Sequence, residues 1–448
     1  MSTVEENKIE KDKQEILVGS SKLNYKSQNK FDKNKFMLNN MEFNLAYTHA
    51  ISKKKFSIFE KKKILESFKD KYLIYRNNWI NALKVKNKKR PLSVDIEIAA
   101  ICDLACPHCS REFLVTPDKL INYDLYTSII DQAVKLDVPS VKLIWRGEPL
   151  LHPKVKKLIQ YAKESGIIEV IINTNATNLD EKKANELIDS GLDQLIYSFD
   201  GGTKETYEKM RPGRFKKNKF EDVYNNIKNF AKIKKRRKSK FPITKIQMIM
   251  TQDTRNEIND FHRIFNDIID DVTVTQYNER GGSINDLGEE IKYKILEYLK
   301  KNNLPLTTPY MVDIDNNIFV SLKRKPCEQI YQRLMVTYSG RVGMCCHDWG
   351  ASHGIGYLSK EAFNEDEAKN KVVDKIKSNQ KGFELLKDAK KLKNLNEPKK
   401  EIENLEEIWH GKELGKVRML HEDYKIDSVP ACKDCTFKDT YTWERVNI

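Results

Sequence analysis

Eight cysteines constrain this 448-residue chain more than any other feature, because they fall in two sets. Cys102, Cys106 and Cys109 lie together, while Cys327, Cys345, Cys346, Cys432 and Cys435 lie more than 200 residues downstream. The N-terminal run MSTVEENKIEKDKQEILVGS lacks the charged-then-apolar pattern of a secretory signal. No stretch approaches the roughly 20 apolar residues of a bilayer span. The expected setting is therefore the cytoplasm, without a membrane, where cysteines serve as metal ligands or redox groups rather than disulfides. The formal charge of +15 comes with 32% charged residues spread along the chain. Basic runs without interleaved aromatics read as solvated surface rather than a nucleic-acid groove.

The chain divides by pattern. Residues 1–40 are rich in Lys, Asn, Ser and Glu and read as a disordered tail. Residues 41–91 read as a helical lead-in, with apolar positions at helical spacing from Ile58 to Trp79. From Leu92 short strand-like runs alternate with helical ones. Strands are expected at Ser93–Ile98, Ser140–Ile144, Glu169–Asn173, Gln194–Ser198, Lys245–Met250 and Val272–Gln276. Helices are expected near 124–136, 154–164, 180–190, 203–209, 219–233 and 256–269. Six such units over 92–285 predict an α/β fold with a parallel sheet, open or curved into a partial (β/α)6 TIM-like barrel. Chemistry is then expected at the strand C-terminal ends. Residues 286–324 read as a linker region, and 325–448 as a small α+β unit, a β-hairpin plus helix, carrying a helical Lys/Glu-rich insertion at 358–405.

Cys102-Asp-Leu-Ala-Cys106-Pro-His-Cys109 comes directly after the first expected strand. A structural zinc site and an ordinary 4Fe-4S site each take four ligands. Three thiolates on one loop suit a cubane cluster with one iron left open. This loop and several segments downstream of it resemble the radical S-adenosylmethionine (SAM) family, in which the open iron is chelated by SAM and the sulfonium is cleaved to a 5'-deoxyadenosyl radical. His108 holds the usual aromatic position before the third cysteine. Trp145-Arg146-Gly147-Glu148-Pro149 resembles the family's GGEP segment, with Arg in place of the first Gly. Asn173-Thr174-Asn175-Ala176-Thr177 resembles its TNGT segment, and Ser198-Phe199-Asp200-Gly201-Gly202 with Arg211 resembles the segment that contacts SAM. The resemblance implies that His108, Gly147, Glu148, Asn175, Ser198 and Arg211 bind SAM. Glu148 suits its ammonium and Arg211 its carboxylate.

Cys327 and Cys345 form a CX12GX4C pattern around Gly340, and Val336 to Met344 alternates like a hairpin about Ser339-Gly340. With the later Cys432-Lys-Asp-Cys435 pair, this resembles the SPASM and Twitch extensions of radical SAM enzymes. A full SPASM extension has more cysteines than the lone CxxC here, so the resemblance is to the one-cluster form. It implies a second, auxiliary 4Fe-4S cluster on Cys327, Cys345, Cys432 and Cys435; spacing alone also allows zinc. Cys346 reads as a packed thiol, with a substrate-facing or alternative-ligand role open.

The reading for function is hydrogen abstraction from a small-molecule substrate, a carbohydrate or polyol, for oxidation or epimerisation, with the auxiliary cluster as electron relay. Glu279 and Arg280, after the sixth strand, are the candidates for catalytic proton removal. An electron-donor protein such as flavodoxin or ferredoxin is the implied partner. Two alternatives stay open: a peptide or protein maturase of the same family, and a basic zinc protein that binds nucleic acid.

Overall fold

The computed structural model describes residues 66–109, 111, 117–277, 289–306, 308–312, 317–365, 402–433, 435, 437 and 440–446. Residues 1–40, the bulk of the 358–405 insertion, and Glu279 and Arg280 lie outside them.

Six parallel strands form the body: β1 (Ser93–Ile96), β2 (Ser140–Lys142), β3 (Glu169–Thr174), β4 (Gln194–Ser198), β5 (Ile243–Met250) and β6 (Asp271–Gln276). Strand alternation explains what each face does. Val94, Ile96, Val141, Val170, Ile172, Leu195, Tyr197, Ile246, Met248 and Val274 point into the main hydrophobic core. Their neighbours Ser93, Asp95, Lys142, Asn173, Gln247 and Thr273 occupy the other face and are also buried. A sheet polar on one buried face cannot pack there against helices, so that face lines a chamber instead.

A helix precedes the sheet and others follow its strands. These are α1 (Glu66–Asn81), α2 (Tyr123–Lys135), α3 (Val155–Glu164), α4 (Glu181–Asp189), α5 (Lys204–Met210), α6 (Phe220–Arg236) and α7 (Ile258–Phe265). Side-chain caps start three of them: Asn122 accepts from the Asp124 and Leu125 amides, Asp180 from Lys183 N, and Thr203 from Thr206 N. In α1, Tyr72, Tyr75 and Trp79 are buried, and the two tyrosine hydroxyls donate to Glu169 at the start of β3.

The cysteine-rich C-terminal part joins the same sheet. After α8 (Glu289–Lys301), the stretch expected as a linker forms β7 (Tyr310–Val312) and β8 (Ile318–Arg324). Next come α9 (Gln329–Gln332), β9 (Arg333–Val336), β10 (Arg341–Gly343) and β11 (Gly356–Tyr357). β9 pairs in parallel with β1, Ser93 opposite Arg333 and Ile96 opposite Val336, and β10 runs back antiparallel as the expected hairpin. Gly340 sits at its turn with φ 96°, a conformation glycine adopts without strain. The result is one nine-stranded sheet, β11-β10-β9-β1-β2-β3-β4-β5-β6, a partial barrel whose edges do not meet. The chain ends with α10 (Leu405–His410), α11 (Lys412–Glu422), α12 (Pro430–Lys433) and β12 (Tyr441–Val446), the last paired with β8. Among the described residues no helix is long and apolar enough to cross a membrane.

Candidate iron-sulfur and cofactor site

The loops after β1, β2, β3 and β4 meet in one cavity of about 290 Å³. Its walls include Cys102, Cys106, Cys109, His108, Gly147, Glu148, Asn175, Ser198 and Arg211. Every described residue expected from sequence to hold the first cluster or SAM is therefore brought together.

Two carboxylates, Glu148 buried and Asp103 partly exposed, tie these loops. Glu148 accepts from Leu150 N (3.0 Å), Thr174 Oγ1 (2.7 Å) and Asn175 N (2.7 Å), joining the second loop to the third. Burial pushes its pKa up to about 7 despite those hydrogen bonds. Asp103, inside the cysteine loop, accepts from Asn175 Nδ2 (2.8 Å), Thr177 Oγ1 (2.6 Å) and Asn178 Nδ2 (3.0 Å). Asn175 thus fastens the cysteine loop, a role its motif did not announce. Gly147 is needed for packing: a Cβ there would lie 2.3 Å from Ala99 O and 2.4 Å from Ile101 O.

Arg211 is buried and paired with Asp200 at 2.7 Å; the same carboxylate lies 3.3 Å from His108 Nε2. Asp200 thus holds the guanidinium that the family resemblance assigns to the SAM carboxylate. Arg211 Nε and His108 Nδ1 are buried without a hydrogen-bond partner among the described residues. Burial lowers His108 to about 4, so its ring is neutral near pH 7. Arg146, the residue standing where the family has Gly, is gripped by buried Glu97: Nε and Nη2 donate at 2.6 Å each. Glu97 also accepts from Tyr338 N, binding the second loop to the C-terminal hairpin. Neither Asp200 nor Glu97 was a sequence candidate, since nothing local marks a carboxylate whose partner comes from another loop.

A second, small cavity is lined by Cys327, Cys345, Cys432 and Cys435, with Asp348, His421 and Phe437. The hairpin brings Cys345, α12 brings Cys432, and Cys327 N donates to His421 Nδ1 at 3.2 Å. Cys346 lines the larger cavity instead, opposite the first cysteine loop, where Trp145 Nε1 donates to its carbonyl at 3.3 Å. Gln329, His347 and Phe437 line both cavities and form the wall between them.

The donor chemistry of both sites fits clusters. Burial pushes Cys102 and Cys432 up to about 12, and raises Cys106 and Cys327 as well. Cys345 is raised by its hydrogen bond with Cys346 and by burial. Buried thiols of this kind ionise when a cationic centre is placed among them, as metal binding requires. Among the described residues no group of three or more His, Cys, Asp or Glu side chains is preformed around a single ion, so the grouping of thiols on each cavity wall carries the assignment.

A parallel sheet with a three-cysteine loop at its strand ends and a four-cysteine pocket beside it defines a protein with two unlike thiolate sites. The model of the radical SAM superfamily matches residues 96–264, and that of the SPASM iron-sulfur cluster-binding domain matches residues 327–436. The chain belongs to the radical SAM superfamily and carries a SPASM-like extension. These domains imply a 4Fe-4S cluster with SAM and a further iron-sulfur cluster. The chain is 32% identical over 127 residues to a GTP 3',8-cyclase of Parasynechococcus marenigrum, covering 26% of this chain and 36% of that one. It is 32% identical over 108 residues to the tungsten-containing aldehyde ferredoxin oxidoreductase cofactor-modifying protein of Pyrococcus furiosus, covering 23% and 30%. The chain thus spans about a third of the length of these relatives. Solved structures similar to it include BtrN in complex with AdoMet and 2-DOIA (TM-score 0.41, 15% identity, 78% of this chain and 97% of that one). Another is Streptococcus suis SuiB bound to precursor peptide SuiA (TM-score 0.45, 17% identity, 69% and 75%).

Proposed function

We propose that this protein is a radical SAM enzyme that abstracts a hydrogen atom from a small polar molecule, using a second cluster as an electron relay. One observation carries the reading: the three-cysteine loop and the residues matched to SAM binding share a cavity with Cys346, His347 and Trp349 of the hairpin, and only a thin wall separates it from the four-cysteine pocket. When bound, the reduced cluster and SAM supply one-electron cleavage of a sulfonium and, from it, hydrogen abstraction from carbon.

The chain's own residues position and enclose. Cys102, Cys106 and Cys109 would hold the first cluster, Cys327, Cys345, Cys432 and Cys435 the second. Glu148, held by three donors, offers a preorganised acceptor for an ammonium. The cavity floor is polar: Asp95 pairs with Arg333 at 2.7 Å, and buried Lys142 lies beside them on β2. Asn173 Oδ1 and Gln329 Oε1 are buried on its walls with no hydrogen-bond partner among the described residues. Acceptors left unpaired in this way favour a ligand bearing hydroxyl or amino donors, which supports a polyol or carbohydrate. A second site whose four ligands are all protein cannot bind substrate at iron, which supports relay.

Anaerobically reconstituted protein should hold about eight irons, four per cluster. Incubated with a deuterated metabolite extract, it should place deuterium in 5'-deoxyadenosine. Full iron loading with no SAM cleavage in any extract rejects the reading.

A further inference from the structure

A 4Fe-4S centre that cleaves SAM must be reduced one electron at a time, and tunnelling requires the donor to approach the cluster closely. The surface over the cysteine loop is therefore where a donor has to dock. Among the described residues, the segment that lies against that loop is Arg211–Lys219, with the sequence RPGRFKKNK.

The segment is fastened directly to the cysteine loop. Leu104 bridges Gly213, Ala105 N donates to Pro212 O (2.9 Å), and Arg214 N donates to Asp103 O (2.8 Å). Arg211 turns inward to Asp200 and Asn218 is buried, donating to Tyr207 and to Arg211 O, whereas Arg214–Lys217 and Lys219 turn out. Phe215 is 66% exposed, and the Arg214 guanidinium sits 4.9 Å from its ring centroid. Lys216, Lys217 and Lys219 are exposed, as is neighbouring Lys119. Asp118, Glu208 and Glu221 border the group, and each already meets a basic side chain: Asp118 pairs with Arg214 and Arg111, Glu208 with Lys217, and Glu221, beside Lys219, with Lys204. A Cβ on Gly213 would lie 1.6 Å from Lys216 O, so the tight turn that presents Phe215 and the lysines is fixed by glycine.

An exposed aromatic beside several cations, with these bordering acids each paired, is the pattern of a steered, transient interface. We propose that the exposed face of Arg214–Lys219, with Lys119, is the docking surface for an acidic one-electron carrier protein that reduces the first cluster. This rests on the reading that Cys102, Cys106 and Cys109 hold a reducible cluster. The electron goes from carrier to cluster, with no bond formed or broken.

The test measures cluster reduction rather than turnover. Reconstituted protein is mixed anaerobically in stopped flow with flavodoxin hydroquinone, an acidic donor, and separately with reduced methyl viologen, a small cation that needs no docking surface. The double variant K216E/K217E should lower the second-order rate with flavodoxin by roughly tenfold or more at low salt. The difference should shrink as salt rises toward the range where charges beyond about 8 Å are screened. Methyl viologen should reduce wild type and variant at comparable rates, and K235E/K238E, a control at the far end of α6, should behave as wild type with both donors. Unchanged flavodoxin rates in K216E/K217E overturn the proposal, as do equal losses with both donors. Failure of methyl viologen to reduce the wild-type cluster would instead reject the cluster reading beneath it.

Discussion

Cys345 and Cys346 are neighbours in sequence but face different cavities, Cys345 the four-cysteine pocket and Cys346 the larger chamber with Glu148 and Arg211. Both lie in the turn that follows β10, on the wall that the two cavities share, so one residue of chain separates a thiol of one cavity from a thiol of the other. Cys345→Ser should therefore cost the protein about four of its roughly eight irons. Cys346→Ser should retain all of them. Iron analysis of the two reconstituted variants, side by side, checks this, and equal iron loss would contradict it.

Glu97 and Arg146 form a buried pair, with side chains 0% and 9% exposed, that couples the second loop to the hairpin. Removing one partner strands a buried charge. Glu97→Ala is expected to destabilise the fold by about 3–5 kcal/mol. A double variant, E97A with Arg146→Met, should recover much of that loss, because the unpaired guanidinium goes with it. Chemical denaturation of the apoprotein measures both, and a recovery absent from the double variant would argue against the pair as the cause.

Glu148 has its pKa raised from 4.5 to about 7, first by burial. A carboxyl raised in the folded state contributes stability that is full below about 4.5 and is lost as pH rises through about 7. An ammonium ligand prefers the ionised form. SAM affinity for the cluster-loaded protein should thus rise about tenfold between pH 6 and pH 8, following the ionised fraction. Calorimetric titration at the two pH values should show it in wild type, and Glu148→Gln should bind weakly with a flat profile.

Gly147 has no room for a side chain between Ala99 O and Ile101 O. Gly147→Ala must move the backbone that carries Glu148 away from the β1 loop, at an expected cost of about 3 kcal/mol. A thermal melt of the variant beside wild type tests this; a melting temperature within a degree of wild type would show the contact to be soft.

Much of the fold is legible in the residues. The six core strands fall within about two residues of their expected limits, because each is a short β-rich run bounded by turns and followed by a helical period. The cysteine sets and the loops at 145–149, 173–177 and 198–202 could be read because their chemistry is compressed into a few consecutive positions. By contrast, β9 lies beside β1 across 240 residues of sequence, and β12 closes a sheet with β8, pairings that no local period announces.

Residue order alone thus specified the side chains that can hold clusters and the alternation that builds a parallel sheet. It took the packed fold to establish that both cysteine sets open on adjoining cavities, that Asp200 pairs with Arg211, that Glu97 holds Arg146, and that Cys346 lines a different cavity from Cys345. One cause is common to all four. Periodicity and spacing record what a residue does to its neighbours in the chain, whereas buried charges find partners by packing, from whichever loops the sheet brings to the same end.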